Sequence, residues 1–288
     1  MIPGNLVVLA GGAASRMKSA GTKALEKRLA EDAATKVKAM IGVGEGYRPF
    51  LEYLLHHAWL AGYEDVVIVV GEQDVSVREF FGKKDRGNNF HGLSISYAIQ
   101  RIPPARTKPL GTADAFLCAL RSRPEWRGGR CTVCNSDNLY SVNAFRLLRE
   151  VPDENALIDY DRDALGLDSA RIDRFAVLLK DERGRLSDIV EKPDPETLRR
   201  ARGPDGRIGV SMNIYAFGCD RILPYLERVP VHPVRQEKEL PGAVRMMLRD
   251  LPGCVNAIPL AEPVPDLTNQ DDIELMKRTV MGVSLAWR

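Results

Sequence analysis

The chain has 288 residues, 44% hydrophobic and 28% charged, enough apolar material for a large buried core and too much for a disordered segment. Its 41 lysines and arginines stand against 39 acidic residues, and a formal charge of +2 argues against a general nucleic-acid binder, which needs a basic excess to neutralise phosphates. Five cysteines are too few and too odd in number for a disulfide framework, and no apolar run nears the roughly 20 residues that cross a bilayer, so a cytoplasmic protein without membrane contact is expected.

Residues 5–10 form the first expected strand and run straight into a glycine pair. Residues 49–62 follow as a helix, with Leu51, Leu54, Leu55 and Ala58 on one face, Pro49 in the first turn and Gly62 at the stop. Further strands are expected over 65–70, 94–98, 131–135 and 156–160, with a helix over 142–149. Short Val- and Ile-rich runs alternating with helical patterns indicate a parallel sheet covered by helices. Beyond residue 160 the texture changes. Strands over 175–179, 186–191 and 210–217, separated by turn signals at 181–184 and 203–206, read as a hairpin-like substrate-binding flank, and a helix from about 270 to 280 closes the chain.

Directly after the first strand stands Leu9-Ala10-Gly11-Gly12-Ala13-Ala14-Ser15-Arg16-Met17. Two glycines let the backbone approach a ligand, successive N–H groups in such a turn cradle phosphate oxygens, and Arg16 adds a fork of donors. The pattern lacks the Gly-Lys-Ser/Thr of a P-loop and the third glycine of the dinucleotide fingerprint. Taken alone it is equally an ordinary strand-to-helix turn.

In chain order, this turn, Lys38-Ala39-Met40-Ile41 leading to Arg48-Pro49, Leu110-Gly111-Thr112-Ala113, Asn135-Ser136-Asp137-Asn138, Glu191-Lys192-Pro193, Ser211-Met212-Asn213 and Asp266-Leu267-Thr268 resemble the successive motifs of sugar-1-phosphate nucleotidyltransferases. The resemblance runs over nearly the whole chain. It implies an α/β, Rossmann-like three-layer fold with a mostly parallel central sheet and a small β-rich substrate-binding flank. A single domain over 1–288 is expected, its nucleotide-binding part about 1–150 and its sugar-phosphate part about 151–288. The implied partners are a nucleoside triphosphate (UTP, dTTP, CTP or GTP) and a sugar 1-phosphate, with homo-oligomerisation left open.

By the same resemblance, Ala10, Gly11, Gly12 and Thr112 line the nucleotide, Gln100 and Gly111 read the base, and Arg16 and Lys38 act at the phosphates. Glu191, Lys192 and Asn213 hold the acceptor, while Asp137 and Asp266 bind Mg2+, a hard cation that prefers oxygen. Each motif has a plainer account, since Asp and Asn form turns and surface charge pairs are usually solvated; their occurrence in order favours function. Transfer to an alditol or choline phosphate, and a noncatalytic nucleotide-sugar-binding subunit, are the alternatives.

Three departures stand out: Arg48 in place of a lysine before proline, Ser136 where glycine is common, and the charged stretch 18–38, expected to close as a lid on bound triphosphate. Other features carry no site. Cys131 and Cys134 fall on opposite faces of a strand, and His56 and His57 diverge on their helix. Gly42, Gly44 and Gly46 read as flexibility before Pro49, and Arg199, Arg200 and Arg202 as a solvated face.

Overall fold

The computed structural model describes residues 4–12, 36–152 and 155–287; Arg16 and positions 18–35 of the expected lid lie outside them. Its strands are β1 (Asn5–Leu9), β2 (Asp65–Gly71), β3 (Asn88–Phe90), β4 (Leu93–Gln100), β5 (Arg130–Asn135), β6 (Ala156–Asp161), β7 (Val177–Lys180), β8 (Leu186–Val190), β9 (Gly209–Val210), β10 (Ile214–Gly218) and β11 (Asn256–Leu260). They join in one sheet of order β3-β4-β2-β1-β5-β10-β6-β9-β7-β8, with β11 paired to β6. β4, β2, β1 and β5 are parallel neighbours, and β10 runs against both β5 and β6, so β6 and β11 point the same way as β5.

Alternation along these strands splits the apolar residues between two cores. Leu6, Val8, Val66, Ile68 and Cys134 face one, covered by the helices Phe50–Leu60, Val142–Glu150 and Asp272–Val280. Val7, Val67, Val69, Cys131 and Val133 face the other, beneath Thr112–Ser122, Cys219–Arg228 and Leu240–Asp250. The result is the expected three-layer α/β fold. Truncating a side chain such as Phe116, fully enclosed between the second core's sheet and helices, to Ala costs about 3–5 kcal/mol.

The sequence placed the main strands to within a few residues. It misread residues 210–217 as one flanking strand. Asn213, with φ 56°, interrupts the extended run, leaving β9 on the flank while β10 enters the middle of the sheet. All five residues of β10 are buried, the pattern of a strand covered on both faces. Cys131 and Cys134 do face opposite cores, and the free Cys131 thiol hydrogen-bonds with the Cys219 sulfur. His56 and His57 serve separate partners, the Ala286 and Tyr140 carbonyls. The Gly42–Gly46 region also corrects its reading: a Cβ on Gly44 would fall 1.7 Å from the Tyr53 hydroxyl and one on Gly42 2.8 Å from the Tyr47 ring, so close packing demands these glycines. Among the described residues no helix is long and apolar enough to cross a membrane.

Candidate active site

The parallel strands end on one edge, and the site is assembled there. Beyond β1, the Ala10 N–H donates to the Val69 carbonyl at 2.9 Å and holds the glycine turn over β2. A Cβ on Gly11 would stand 3.3 Å from Gln100 Oε1 and 3.5 Å from the Val70 carbonyl carbon, so a bare backbone keeps the turn close. Gln100, the buried last residue of β4, donates Nε2 to the Gly111 carbonyl at 2.8 Å and to Asp114 Oδ2 at 2.9 Å. Both partners accept, which fixes the amide and leaves Oε1 toward the glycine turn.

Gly111 precedes the helix Thr112–Ser122 at φ 109°, and a Cβ on it would lie 2.7 Å from the Lys238 carbonyl oxygen. That approach docks a late segment: Lys238 N–H donates to the Leu110 carbonyl at 2.5 Å, Ala113 N–H to the Lys238 carbonyl at 2.9 Å, and Leu240 N–H to Thr112 Oγ1 at 2.9 Å. Lys38, on the short 3-10 turn Lys38–Met40, reaches Asp137 Oδ2 at 3.2 Å. Leu9, Ala10, Gly11, Gly12, Lys38, Gln100, Gly111, Thr112 and Asp137 line a cavity of about 350 Å³, which Lys108 and Glu237 also border.

A second cavity, of about 490 Å³, is lined by Asp137, Asn138, Arg171, Arg174, Asn213 and Asp266 among others. Asn135 and Asp137 belong to both. The two carboxylates are brought together by backbone: Asn138 pairs with Asp266 as an antiparallel bridge, and the Leu267 N–H donates to the Asp137 carbonyl at 2.8 Å. Burial pushes the Asp266 carboxyl above the usual aspartate value and the Asp137 charge adds to this, against Arg171 and the Thr268 hydroxyl.

Residues 6–251, which carry the glycine turn, Lys38, Gln100 and Asp137 and stop short of Asp266, match the family described as nucleotidyl transferase. The chain belongs to that family. Among curated proteins, this nucleotidyl transferase is 24% identical over 244 residues to the bifunctional protein GlmU of Staphylococcus carnosus, covering 85% of this chain and 45% of that protein. It is 29% identical over 119 residues to the D-glycero-alpha-D-manno-heptose 1-phosphate guanylyltransferase of Aneurinibacillus thermoaerophilus, covering 41% of this chain and 45% of the other. The chain thus spans less than half the length of the first curated relatives it matches. Its fold is similar to that of the UTP-bound UGPase of Acinetobacter baumannii, with a TM-score of 0.69 at 18% identity, covering 97% of this chain and 93% of that one.

In this nucleotidyl transferase the donor set at Asp137 and Asp266 suits Mg2+. Two hard carboxylates that repel each other gain from a cation between them. Among the described residues no group of three or more His, Cys, Asp or Glu could hold a metal, so protein ligands beyond these two carboxylates are not supplied by that residue set.

Asn213 lines the larger cavity, but Glu191 and Lys192 line neither. Lys192 is exposed at φ 48°, and Glu191 is ion-paired with Arg235, which also bonds Glu239 at 2.5 Å. Sequence reading missed Arg171, Arg174, Asp272, Lys108 and Glu237. Asp272 had a signal, a carboxylate opening the apolar periodicity of Ile273, Met276 and Val280. Arg171 and Arg174 sit in a stretch without periodicity. The Lys108–Glu237 ion pair, at 2.8 Å, joins segments that only the folded sheet makes neighbours.

Proposed function

We propose that this chain is an enzyme that joins a nucleoside triphosphate to a sugar 1-phosphate, giving a nucleotide sugar and pyrophosphate. The observation that carries this reading is the meeting of two cavities at Asn135 and Asp137, beside paired carboxylates, in a chain of the nucleotidyl transferase family. The nucleotide-binding part, about 1–150, supplies most of the smaller cavity, and the part from 151 supplies most of the larger.

An acceptor phosphate oxygen attacks the α-phosphorus in line, forming one P–O bond as the bond to the bridging oxygen breaks and pyrophosphate departs. Both reactants are anions, so positioning and charge neutralisation outweigh acid–base work. Gly11 and Gly12 present backbone N–H groups to the triphosphate, with Arg16 following in the chain, and Lys38 stands at the junction of the cavities. Asp137 and Asp266 would hold Mg2+, which when bound supplies positive charge at the α-phosphate and the departing pyrophosphate. On the acceptor side Asn213 is placed for hydroxyls. Arg174, whose guanidinium has no hydrogen-bond or ion-pair partner among the described residues, offers a free cation in the same cavity, which Glu191 and Lys192 do not line.

The Gln100 amide bears on the base. With Nε2 committed to Gly111 and Asp114, its Oε1 is left to accept a hydrogen bond, which uracil and thymine N3–H, guanine N1–H or the cytosine 4-amino group can each donate. UTP, dTTP, CTP and GTP are therefore all compatible with this contact, and ranking them falls to assay. The test is a matrix of the four triphosphates against sugar 1-phosphates and alditol phosphates with Mg2+, read by pyrophosphate release. Turnover with sugar 1-phosphates is expected; activity with alditol phosphates alone, or silence in every well, refutes the reading.

A further inference from the structure

We propose that Arg171 and Asp272 form the positioning pair that sets the Asp266 carboxylate for the metal, an inference that rests on the metal reading above. Arg171 comes from the short helix Ser169–Ile172, remote in sequence from both carboxylates. Its Nη1 lies 2.6 Å from Asp272 Oδ1 and its Nη2 3.1 Å from Asp272 Oδ2, a fork on one carboxylate. The same Nη2 reaches Asp266 Oδ2 at 2.9 Å and donates to the Asp266 carbonyl at 2.8 Å. The three side chains are only 16%, 11% and 9% exposed, so solvent screens these contacts little.

Asp272 also closes the turn that carries Asp266, because its Oδ2 accepts the Thr268 and Asn269 N–H groups, each at 2.8 Å. The Thr268 hydroxyl sits on Asp266 at 2.8 and 3.0 Å. Asp266 is thereby held at its carbonyl by Arg171 Nη2 and at its carboxylate by Arg171 and the Thr268 hydroxyl, contacts that restrain its side chain. Charge is consistent with a cation beside this framework: Arg171 balances one of its two aspartates and Lys38 balances Asp137, leaving one negative charge over. A guanidinium spans both aspartates at once, which a point-like ammonium cannot do.

The test titrates Mn2+ into the UTP-saturated chain and reads protein-bound Mn2+ by water proton relaxation, for the wild type, Arg171→Ala, Arg171→Lys and Asp272→Asn. Removing an outer partner of a metal ligand typically weakens metal binding about 10–100-fold, and that loss is expected for Arg171→Ala and Asp272→Asn with UTP affinity unchanged. Arg171→Lys should restore little. The Arg171→Ala/Asp272→Asn double variant should bind no more weakly than the poorer single, since both break one linkage. A purely structural role would lower the unfolding temperature without moving the Mn2+ midpoint. Mn2+ binding unchanged in these variants overturns the inference. So does tighter binding, which would mean that Arg171 competes for Asp266. If Arg171→Ala fails to fold, Arg171→Lys and Asp272→Asn decide. A wild type that takes up no Mn2+ overturns the metal reading and this inference together, and is told apart because the variants then have nothing to lose.

Discussion

Replacing Gly111 by alanine tests whether the nucleotide cavity depends on a single close approach of backbone to backbone. At φ 109° and ψ −172°, Gly111 occupies a region essentially closed to other residues, and holding alanine there costs about 1–3 kcal/mol. The new Cβ would also lie 2.7 Å from the Lys238 carbonyl oxygen and 2.9 Å from Glu237 Cβ. Relieving that contact pushes back the segment whose three hydrogen bonds, Lys238 to Leu110, Ala113 to Lys238 and Leu240 to Thr112, fasten it to the helix start. With about 0.5–1.5 kcal/mol for each bond and partial loss of the set, the total comes to about 2–5 kcal/mol. For a chain of this size each kcal/mol lowers Tm by about 2–4 °C, so a fall of about 5–15 °C is expected in calorimetry. Because Glu237 and Lys108 border the cavity and move with the segment, the KM for nucleotide should rise while that for the acceptor holds. A Tm within about 2 °C of wild type, with nucleotide KM unchanged, would refute the argument.

Asp137→Ala and Asp266→Ala should each remove nearly all turnover while circular dichroism stays native, and EDTA should do the same to the wild type; an Asp137→Ala enzyme within about twofold of wild type, under 0.5 kcal/mol on the barrier, counts against the metal assignment. Arg174→Ala should raise the acceptor KM and spare the nucleotide KM, because a lost charge-assisted contact costs about 1.5–3 kcal/mol; Lys192→Ala, run beside it, shows which cation meets the acceptor phosphate. Burial pushes the Cys118 thiol up to about 11, so its thiolate fraction at pH 8 is about 10⁻³ and alkylation should run roughly two orders of magnitude slower than at an ordinary thiol, with slow labelling until about pH 11. Buried Cys131, raised by its hydrogen bond with Cys219 and by burial, and Cys134, raised by burial, should label only on unfolding, which mass spectrometry of alkylated peptides would show.

Where one local signal sufficed, the sequence was legible. Strands β1, β2, β4, β5 and β6 are compact apolar runs with turn residues at their ends, and the helix Phe50–Leu60 shows its face by spacing alone. The nucleotide side could be read because its residues sit at strand ends that announce themselves. β10 could not, since five buried residues after a turn look alike whether a strand lies at the rim or in the centre. Arg171 was illegible for a related reason. Its role depends on Asp266 and Asp272, about a hundred positions away, and no local pattern encodes such a distance. Lys192 shows the converse, a motif that reads clearly in sequence and yet stands outside the cavities.

The backbone pairing of Asn138 with Asp266 also sets a clock on synthesis. A nascent chain that has just completed β5 already carries the glycine turn, Lys38, Gln100 and the Gly111 helix start, but Asp137 then has only Lys38 beside it. Its carboxylate partner emerges more than a hundred residues later, after β10 has slotted against β5 and β11 against β6. Contacts of such long sequence separation form late in folding. Interrupted translation or proteolysis ahead of residue 266 would therefore remove Asp266 together with Leu267 and the helix Asp272–Val280, whose Ile273, Met276 and Val280 close the first core, so that the second half of the carboxylate pair and the cover of that core are lost in one cut.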